Sequence, residues 1–292
     1  MTWFNGLEHI VRENEPLAPW NWLRLGGPAE FFAEPTSIDE LAEILKRTHA
    51  ESIPVRAIGA GSNILVRDEG VKGVVLHLSA PVFCEIRVEG QSILAGGGTR
   101  LNHVVSTAAR EGLAGFEAFV GIPGTVGGAL RRNTIGHGAA IGQWTTAVTA
   151  LTRAGEHVSV AEDELRFGYR ESNLDDLIIL TAMFKLEPGD MLKVTRQMQK
   201  LWIMKRSSQP SAEIGHGQIF ADPRGISAGQ IIEQAGLKGF AVGGASISEQ
   251  NPNFIEVEPG TSSADVFSLI EKVRSQVSEN LGVDLQPEIE VW

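Results

Sequence analysis

The chain has 292 residues, of which 42% are hydrophobic, and 36 acidic against 25 basic residues give it a net charge of −11. This length allows two or three domains with a sizeable core. The acidic balance argues against a general nucleic-acid or membrane surface. The single cysteine, Cys84, excludes a disulfide framework and a cysteine-rich metal site, and no metal is expected. Without a signal peptide or an apolar run of ~20 residues, a cytoplasmic protein is expected.

The first region, residues 1–80, is predicted to hold a strand–helix–strand unit. Residues 1–14 have a helical pattern that ends at a proline-containing stretch. Ser37 followed by Glu40 predicts the start of a helix over residues 37–47. A strand at residues 53–58 completes the βαβ unit.

The second region, residues 81–186, is predicted to be α+β. Its predicted helices span residues 102–111 and 161–165. Its predicted strands span residues 82–88, 92–95, 147–152, 157–161 and 177–184. Cys84 falls in one of these strands, which predicts a packed thiol. Ala154 and Gly155 predict a hairpin turn.

The third region, residues 187–292, alternates helices and short strands. Its predicted helices span residues 191–205, 227–235 and 263–281, and its predicted strands span residues 241–247 and 253–257. Gly236 follows the second helix, where glycine commonly ends a helix.

Two glycine-rich loops are candidates for ligand binding. Residues 121–128 read GIPGTVGG and lead to Asn133, and residues 59–63 read GAGSN between two strand-like runs. Glycine lets backbone amides approach an anion, most often a phosphate, although glycine clusters also form ordinary turns. Neither loop follows the dinucleotide fingerprint or the Walker pattern. The two loops are therefore interpreted either as a diphosphate-binding site of a different kind or as ordinary tight turns.

Two charged residues could carry chemistry. Arg170 ends an aromatic-glycine run and can hold a carboxylate or oxyanion, while Glu288 follows a proline and can act as a general acid if partly desolvated. Each residue alone is more often a surface or salt-bridge group. The residues by themselves do not bring the two together.

Seven motifs in order resemble the UDP-N-acetylenolpyruvoylglucosamine reductase family, the flavoenzymes that complete UDP-N-acetylmuramate in peptidoglycan synthesis. The motifs are LGGPA (residues 25–29), GAGSNILV (59–66), GIPGTVGGA (121–129), FGYRES (167–172), AGLKG (235–239), NFI (253–255) and LQPE (285–288). The resemblance spans nearly the whole chain and fits the family's shorter subtype.

The resemblance implies an α+β fold, with a two-subdomain FAD-binding module of the vanillyl-alcohol-oxidase/PCMH type and a smaller C-terminal substrate domain. It implies FAD and NADPH as cofactors, a UDP-sugar substrate and a monomer. The cofactor residues that it implies are Gly59, Ala60, Gly61, Ser62, Asn63, Gly121, Ile122, Pro123, Gly124, Thr125, Gly128 and Asn133. The substrate residues are Tyr169, Asp222, Lys238 and Asn253. Arg170 and Glu288 match positions that polarise the substrate carboxylate and stabilise an enolate-like intermediate, where positive or hydrogen-bonding groups lower the barrier.

The chain departs from the family at residues 217–223. Gln218 stands where the family has a serine thought to protonate C2, and an amide is a far poorer proton donor than a hydroxyl. The family's lysine and asparagine become Ala221 and Asp222, and a carboxylate near an anionic substrate is costly unless it is protonated or paired.

Three hypotheses follow from these departures. The first is the family reaction, with the C2 proton supplied by water ordered by Gln218 or by Glu288. The second is a divergent paralogue that reduces a different substrate. The third is a flavin-binding protein with little or no turnover.

Overall fold

A computed structural model describes residues 3–210, 215–223 and 226–292. Its helices are α1 (Ile38–Ala50), α2 (Leu101–Arg110), α3 (Val126–Arg131), α4 (Met191–Ser207), α5 (Ala228–Gln234) and α6 (Ser263–Leu281). Among the described residues, no helix combines the length and the apolar character needed to cross a bilayer.

The strands mostly form antiparallel sheets. They are β1 (Val11–Pro16), β2 (Pro28–Ala33), β3 (Val55–Ile58), β4 (Ile64–Leu65), β5 (Val71–His77), β6 (Ile86–Glu89), β7 (Ser92–Gly96), β8 (Leu113–Ala114), β9 (Ile135–Gly136), β10 (Ala139–Ala140), β11 (Thr145–Leu151), β12 (His157–Ala161), β13 (Phe167–Gly168), β14 (Glu171–Ser172), β15 (Ile178–Lys185), β16 (Glu187–Pro188), β17 (Gly215–Gln218), β18 (Ala241–Val242), β19 (Ala245–Ile247), β20 (Phe254–Val257) and β21 (Glu290–Val291). This mixture confirms the α+β prediction.

The chain divides into two compact units. Unit 1 comprises Met1–Glu13, Phe31–Ala60 and Lys72–Lys205, and unit 2 comprises Asn14–Glu30, Gly61–Val71 and Arg206–Trp292. These units follow contacts between residues and are not the three regions bounded at residues 80 and 186. Those two boundaries stay a prediction.

A sheet in the order β1-β2-β5-β3, in which β3 and β5 run parallel, lies largely in unit 1. Helix α1 begins as predicted, because the Ser37 hydroxyl accepts a 3.2 Å hydrogen bond from Glu40 N. Its apolar face buries Leu41, Ile44 and Leu45, which share one side of a helix.

The second sheet of unit 1 is antiparallel, in the order β12-β11-β15-β7-β6. Helices α2 and α3 share a hydrophobic core with it, where Val104 and Leu130 join Ile93 and Phe184. The predicted hairpin turn between β11 and β12 is confirmed, since Gly155 has a φ of 78° and lies between paired strands.

Unit 2 is built on the antiparallel sheet β17-β20-β19-β18. Residues of α5 and α6 share its core, including Ile231, Val266 and Ile270. Gly236 follows α5 with a φ of 74°, which confirms the predicted glycine stop. Helix α6 has the predicted bounds.

The helix predicted at residues 1–14 is wrong. Residues 1 and 2 lie outside the described residues, and after them come turns and then β1. Phe4, Leu7 and Ile10 are buried at helical spacing, but separate i→i+3 turns link them, with hydrogen bonds from Leu7 N to Phe4 O and from Ile10 N to Leu7 O. Consecutive turns therefore reproduce a helical apolar pattern without a helix.

Two predictions in the second region are also corrected. The strand predicted at residues 82–88 begins only at Ile86, because Pro81–Phe83 forms a 3-10 turn to which Cys84 N donates back. The helix predicted at residues 161–165 is a single turn closed by Leu165 N to Ala161 O at 3.1 Å. Burial raises the pKa of the Cys84 thiol, in line with a packed thiol.

Candidate active site

The glycine loop at residues 121–128 is held by backbone hydrogen bonds within unit 1. Val126 N donates to Thr99 O at 2.9 Å, in the loop that precedes α2. Thr125 is the N-cap of α3, and its hydroxyl accepts a 3.4 Å bond from Gly128 N. Gly124 has a φ of 132°, which L side chains rarely adopt. These contacts fix the path of the loop.

Within unit 1 the two glycine-rich segments meet. A Cβ added at Gly59 would lie 2.5 Å from Thr125 Oγ1, so only glycine allows this approach. In the described part of the chain, the amides of Gly59 and Ala60 donate no hydrogen bond. Thr99 Oγ1 is buried and has no hydrogen-bond partner among those residues. Uncommitted amides and a buried hydroxyl beside a glycine cradle fit the diphosphate of FAD.

The residues predicted to bind the cofactor fall in both units. In unit 1 lie Gly59, Ala60, Gly121, Ile122, Pro123, Gly124, Thr125, Gly128 and Asn133; in unit 2 lie Gly61, Ser62 and Asn63.

Asn133 braces the backbone on two sides. It is 6% exposed and has a φ of 41°, a left-handed conformation that asparagine tolerates. Its Nδ2 donates to Gly168 O at 2.7 Å, and its Oδ1 accepts from Gly142 N at 3.0 Å. The side-chain amide thus ties the β13–β14 hairpin to the segment that follows β10. A role toward the cofactor stays a prediction.

Arg170 lies at the tip of this hairpin. Strands β13 and β14 pair Gly168 with Glu171, which leaves Tyr169 and Arg170 as the two turn residues. Arg170 has a φ of 59°, an uncommon conformation for a long side chain, and its Nε is buried. Tyr169 is 57% exposed. Uncommon backbone at a braced position is a frequent feature of functional sites.

A second positive charge lies close to Arg170. Lys205, in the last turn of α4, packs against the glycine loop, since a Cβ added at Gly121 would lie 3.2 Å from Lys205 Cδ. Burial, with a smaller contribution from the charge of Arg170, lowers the pKa of Lys205 to about 8. Burial and then the charge of Lys205 lower the pKa of His137. The sequence predicted a helix over residues 191–205 but gave no signal that singled out Lys205.

In unit 2, Gln218 and Glu288 lie on neighbouring backbone segments. Glu288 N donates to Ile219 O at 2.7 Å, one residue beyond Gln218. Asn63 Nδ2 donates to Glu288 O at 3.2 Å, so residues of the first glycine loop hold the same segment. Glu288 Oε2 is buried, and Gln218 is partly buried at the end of β17. The structure therefore brings together two residues that lie far apart in sequence.

Asn253 also braces backbone. It is 6% exposed; its Oδ1 accepts from Phe220 N at 2.9 Å and its Nδ2 donates to Phe220 O at 2.8 Å. This paired contact fixes the chain two residues beyond Gln218. A role toward substrate stays a prediction.

The other two predicted substrate residues of unit 2 have local partners. Asp222 Oδ1 accepts a 2.8 Å hydrogen bond from Ala228 N, the first residue of α5, where the helix dipole favours a negative charge. Lys238 Nζ lies 2.8 Å from Glu233 Oε1, in a salt bridge exposed to solvent. Asp222 is thus a paired carboxylate, which reduces the electrostatic cost expected from sequence.

Two family models match most of the chain. An FAD binding domain matches residues 29–161, and the C-terminal domain of UDP-N-acetylenolpyruvoylglucosamine reductase matches residues 209–292. The chain is 37% identical over 286 residues to the UDP-N-acetylenolpyruvoylglucosamine reductase of Rhodopirellula baltica, which covers 98% of this chain and 94% of the relative.

Solved structures agree with these matches. The UDP-N-acetylenolpyruvylglucosamine reductase of Thermus caldophilus is 34% identical and has a TM-score of 0.83, over 97% of this chain and 99% of that one. A chitooligosaccharide oxidase, only 12% identical, shares the fold with a TM-score of 0.61 over 92% of this chain and 84% of its own.

An FAD-binding domain whose glycine cradle keeps free amides, followed by a separate C-terminal domain, defines a flavin-dependent oxidoreductase. Sequence identities of 37% and 34%, each over nearly the full length of both chains, narrow the assignment from this class of enzyme to one family. The chain belongs to the UDP-N-acetylenolpyruvoylglucosamine reductase family. The family resemblance, the FAD cofactor and the enzyme class predicted from sequence are confirmed.

Proposed function

We propose that this protein uses NADPH and FAD to reduce the enolpyruvyl group of UDP-N-acetylglucosamine enolpyruvate to UDP-N-acetylmuramate, a step in peptidoglycan precursor synthesis. One observation supports the chemistry most strongly. Arg170 is presented at a hairpin tip, in left-handed backbone, with its Nε buried and the hairpin braced by Asn133. A planar guanidinium held in this way suits the carboxylate of the substrate.

The two glycine segments of unit 1 would hold the cofactor. Gly59 and Ala60 offer uncommitted amides to the diphosphate, and Thr125 shapes the cradle beside them. When bound, FAD supplies the hydride that NADPH first delivers. The protein contributes binding, orientation and electrostatics.

Arg170 and Glu288 have separate roles in the proposed reaction. Hydride addition at C3 places negative charge on C2 and its carboxylate, and Arg170 stabilises that charge. Glu288 has a buried carboxylate oxygen on a backbone segment fixed at both Glu288 N and Glu288 O, which suits a group that must stay oriented toward a reacting atom. Tyr169, exposed beside Arg170, is proposed to contact the substrate.

Protonation at C2 needs a donor other than the Gln218 amide. Water ordered by Gln218, or Glu288 itself, are the donors suggested by the sequence. Replacing Gln218 with serine tests whether protonation limits turnover. A marked gain in turnover in Gln218→Ser supports a limit at this step, and no gain contradicts it.

The comparisons do not favour a different substrate or a non-catalytic flavoprotein. The changes to Ala221 and Asp222 motivated that alternative, and the pairing of Asp222 with Ala228 N weakens it because the carboxylate already has a local partner. The protein is also proposed to be a monomer and to act in the cytoplasm.

Steady-state oxidation of NADPH is the direct test. UDP-N-acetylglucosamine enolpyruvate should be consumed with equal amounts of NADPH oxidised and UDP-N-acetylmuramate formed. A second enolpyruvyl compound without the UDP group is the matched control and should react far more slowly. Faster turnover of the control than of the UDP-sugar would contradict the proposed substrate.

A further inference from the structure

Unit 1 contains two half-buried positive charges, Arg170 and Lys205, and the proposed reaction uses only Arg170. Lys205 packs against Gly121 of the glycine loop, and its pKa is lowered by burial and by the charge of Arg170. The charge of Lys205 also helps to lower the pKa of His137, which lies in the turn between β9 and β10. Arg170 and His137 are thus two charged or titratable groups on other elements that are coupled electrostatically to Lys205.

Charges of the same sign are costly to hold together in a partly desolvated place. Such clusters are typical of sites that bind anions or move protons. Arg170 is the group proposed to hold the substrate carboxylate, and that carboxylate is bonded directly to C2. A proton donor beside Arg170 and the glycine loop would therefore lie near the atom that must be protonated.

We infer that Lys205 is a catalytic residue that donates the proton to C2 of the substrate. This inference rests on the proposed function. Hydride adds to C3 as the C2–C3 double bond becomes a single bond, and the electron pair left at C2 takes a proton from the Lys205 ammonium. The neutral amine then recovers a proton from solvent, so the overall reaction consumes one NADPH and one proton.

The chemistry of lysine suits this task better than that of the alternatives in this chain. A general acid works best when its pKa lies near the operating pH, and Lys205 has a pKa of about 8. An ordinary lysine is a much weaker acid, and an arginine is not deprotonated in proteins. Gln218, at the position where the family has serine, has no proton to transfer at neutral pH.

The test is Lys205→Arg, which keeps the positive charge and removes the transferable proton. Visible spectra should show the same flavin content as wild type, and NADPH should reduce the flavin at a rate within about threefold. Formation of UDP-N-acetylmuramate should fall by about 100-fold or more, since general acid catalysis contributes 10²–10⁴. Lys200→Arg, an exposed lysine of the same helix, is the matched control and should match wild type.

A pH profile gives the second readout. Product formation by wild type should decline as pH rises through about 8, because the protonated amine is the active form, and Lys205→Arg should lack this decline. Unchanged turnover and pH dependence in Lys205→Arg would overturn the assignment, leaving water or Glu288 as the donor. If reduced wild-type enzyme gave no product from the UDP-sugar at all, the proposed function itself would fail, and the role of Lys205 with it.

Discussion

Asn133 in unit 1 and Asn253 in unit 2 have the same local job in two different settings. Each is 6% exposed, and each uses both ends of its amide to hold backbone. The setting in unit 1 adds left-handed backbone at Arg170 and a neighbouring lysine with a lowered pKa. In unit 2, Asn253 fixes the backbone at Phe220, just after β17, and the nearby carboxylate of Asp222 accepts a hydrogen bond from a helix amide. The comparison indicates that the bracing by Asn133 in unit 1 supports charged groups held in uncommon backbone, whereas the bracing by Asn253 in unit 2 mainly fixes the position of the backbone.

The largest effect should come from Arg170. Replacing it with methionine removes the cation that meets the developing charge, and turnover should fall by about 10³-fold. Flavin content should stay near that of wild type, since the glycine cradle is unchanged. Arg196→Met, at an exposed arginine of α4, is the control. Retention of most activity in Arg170→Met would contradict the proposed role of Arg170 in stabilising the developing charge.

The two bracing asparagines should then separate stability from catalysis. Asn253→Ala leaves the N–H and C=O of buried Phe220 without partners, and should lower the free energy of unfolding by about 2–4 kcal/mol. Asn133→Ala should cost a similar amount and also lower turnover at least about tenfold, because it releases the Arg170 hairpin. Chemical denaturation and steady-state kinetics check both, with exposed Asn102→Ala as control. Equal losses of turnover in Asn133→Ala and Asn253→Ala would contradict the proposed difference between the two asparagines.

The half-buried positive charge of Lys205 should lower the free energy of unfolding, and this effect should depend on pH. Between pH 8 and pH 10.5 the folded protein loses the Lys205 proton before the unfolded chain does, so stability rises with pH across this window. Below pH 8 both states are protonated, and the cost of burying the charge is fully present. Lys205→Met should therefore raise the free energy of unfolding by about 1–2 kcal/mol at pH 7, less than the full shift implies because the side chain is partly exposed. The gain should disappear near pH 10.5; a gain that is independent of pH would contradict it.

The smallest effect should come from Asp222. Asp222→Ala removes the acceptor for Ala228 N at the start of α5 and should cost about 1 kcal/mol. Turnover should change by less than about threefold if the carboxylate mainly serves the helix. Asp163→Ala, in an exposed turn of unit 1, is the control. A large rise in the KM for the UDP-sugar would instead support a role for Asp222 at the substrate.

Much of the fold could be predicted because its signals are local. Helix α6 and strand β12 have the bounds that periodicity indicated, and the Ser37 cap and the Gly236 stop are where sequence placed them. The failure at residues 3–10 has a physical cause. Apolar residues every three or four positions suit successive turns as well as a helix, and only the packing of the folded chain decides between them.

The candidate site was only partly visible in the sequence. Glycine patterns located both loops, but they could not show that Gly59 lies against Thr125 or that Asn133 reaches Gly168, because these contacts join distant segments. Lys205 was missed for the same reason. Its lowered pKa depends on burial and on Arg170, neither of which its neighbours in sequence reveal.

The most direct test of the account follows the visible spectrum of the wild-type flavin without oxygen, first with NADPH and then with UDP-N-acetylglucosamine enolpyruvate. NADPH should bleach the flavin, and the UDP-sugar should then restore the oxidised spectrum with formation of UDP-N-acetylmuramate. Flavin that bleaches but stays reduced in the presence of the sugar would contradict the proposed substrate. Flavin that NADPH does not reduce would contradict the proposed reaction.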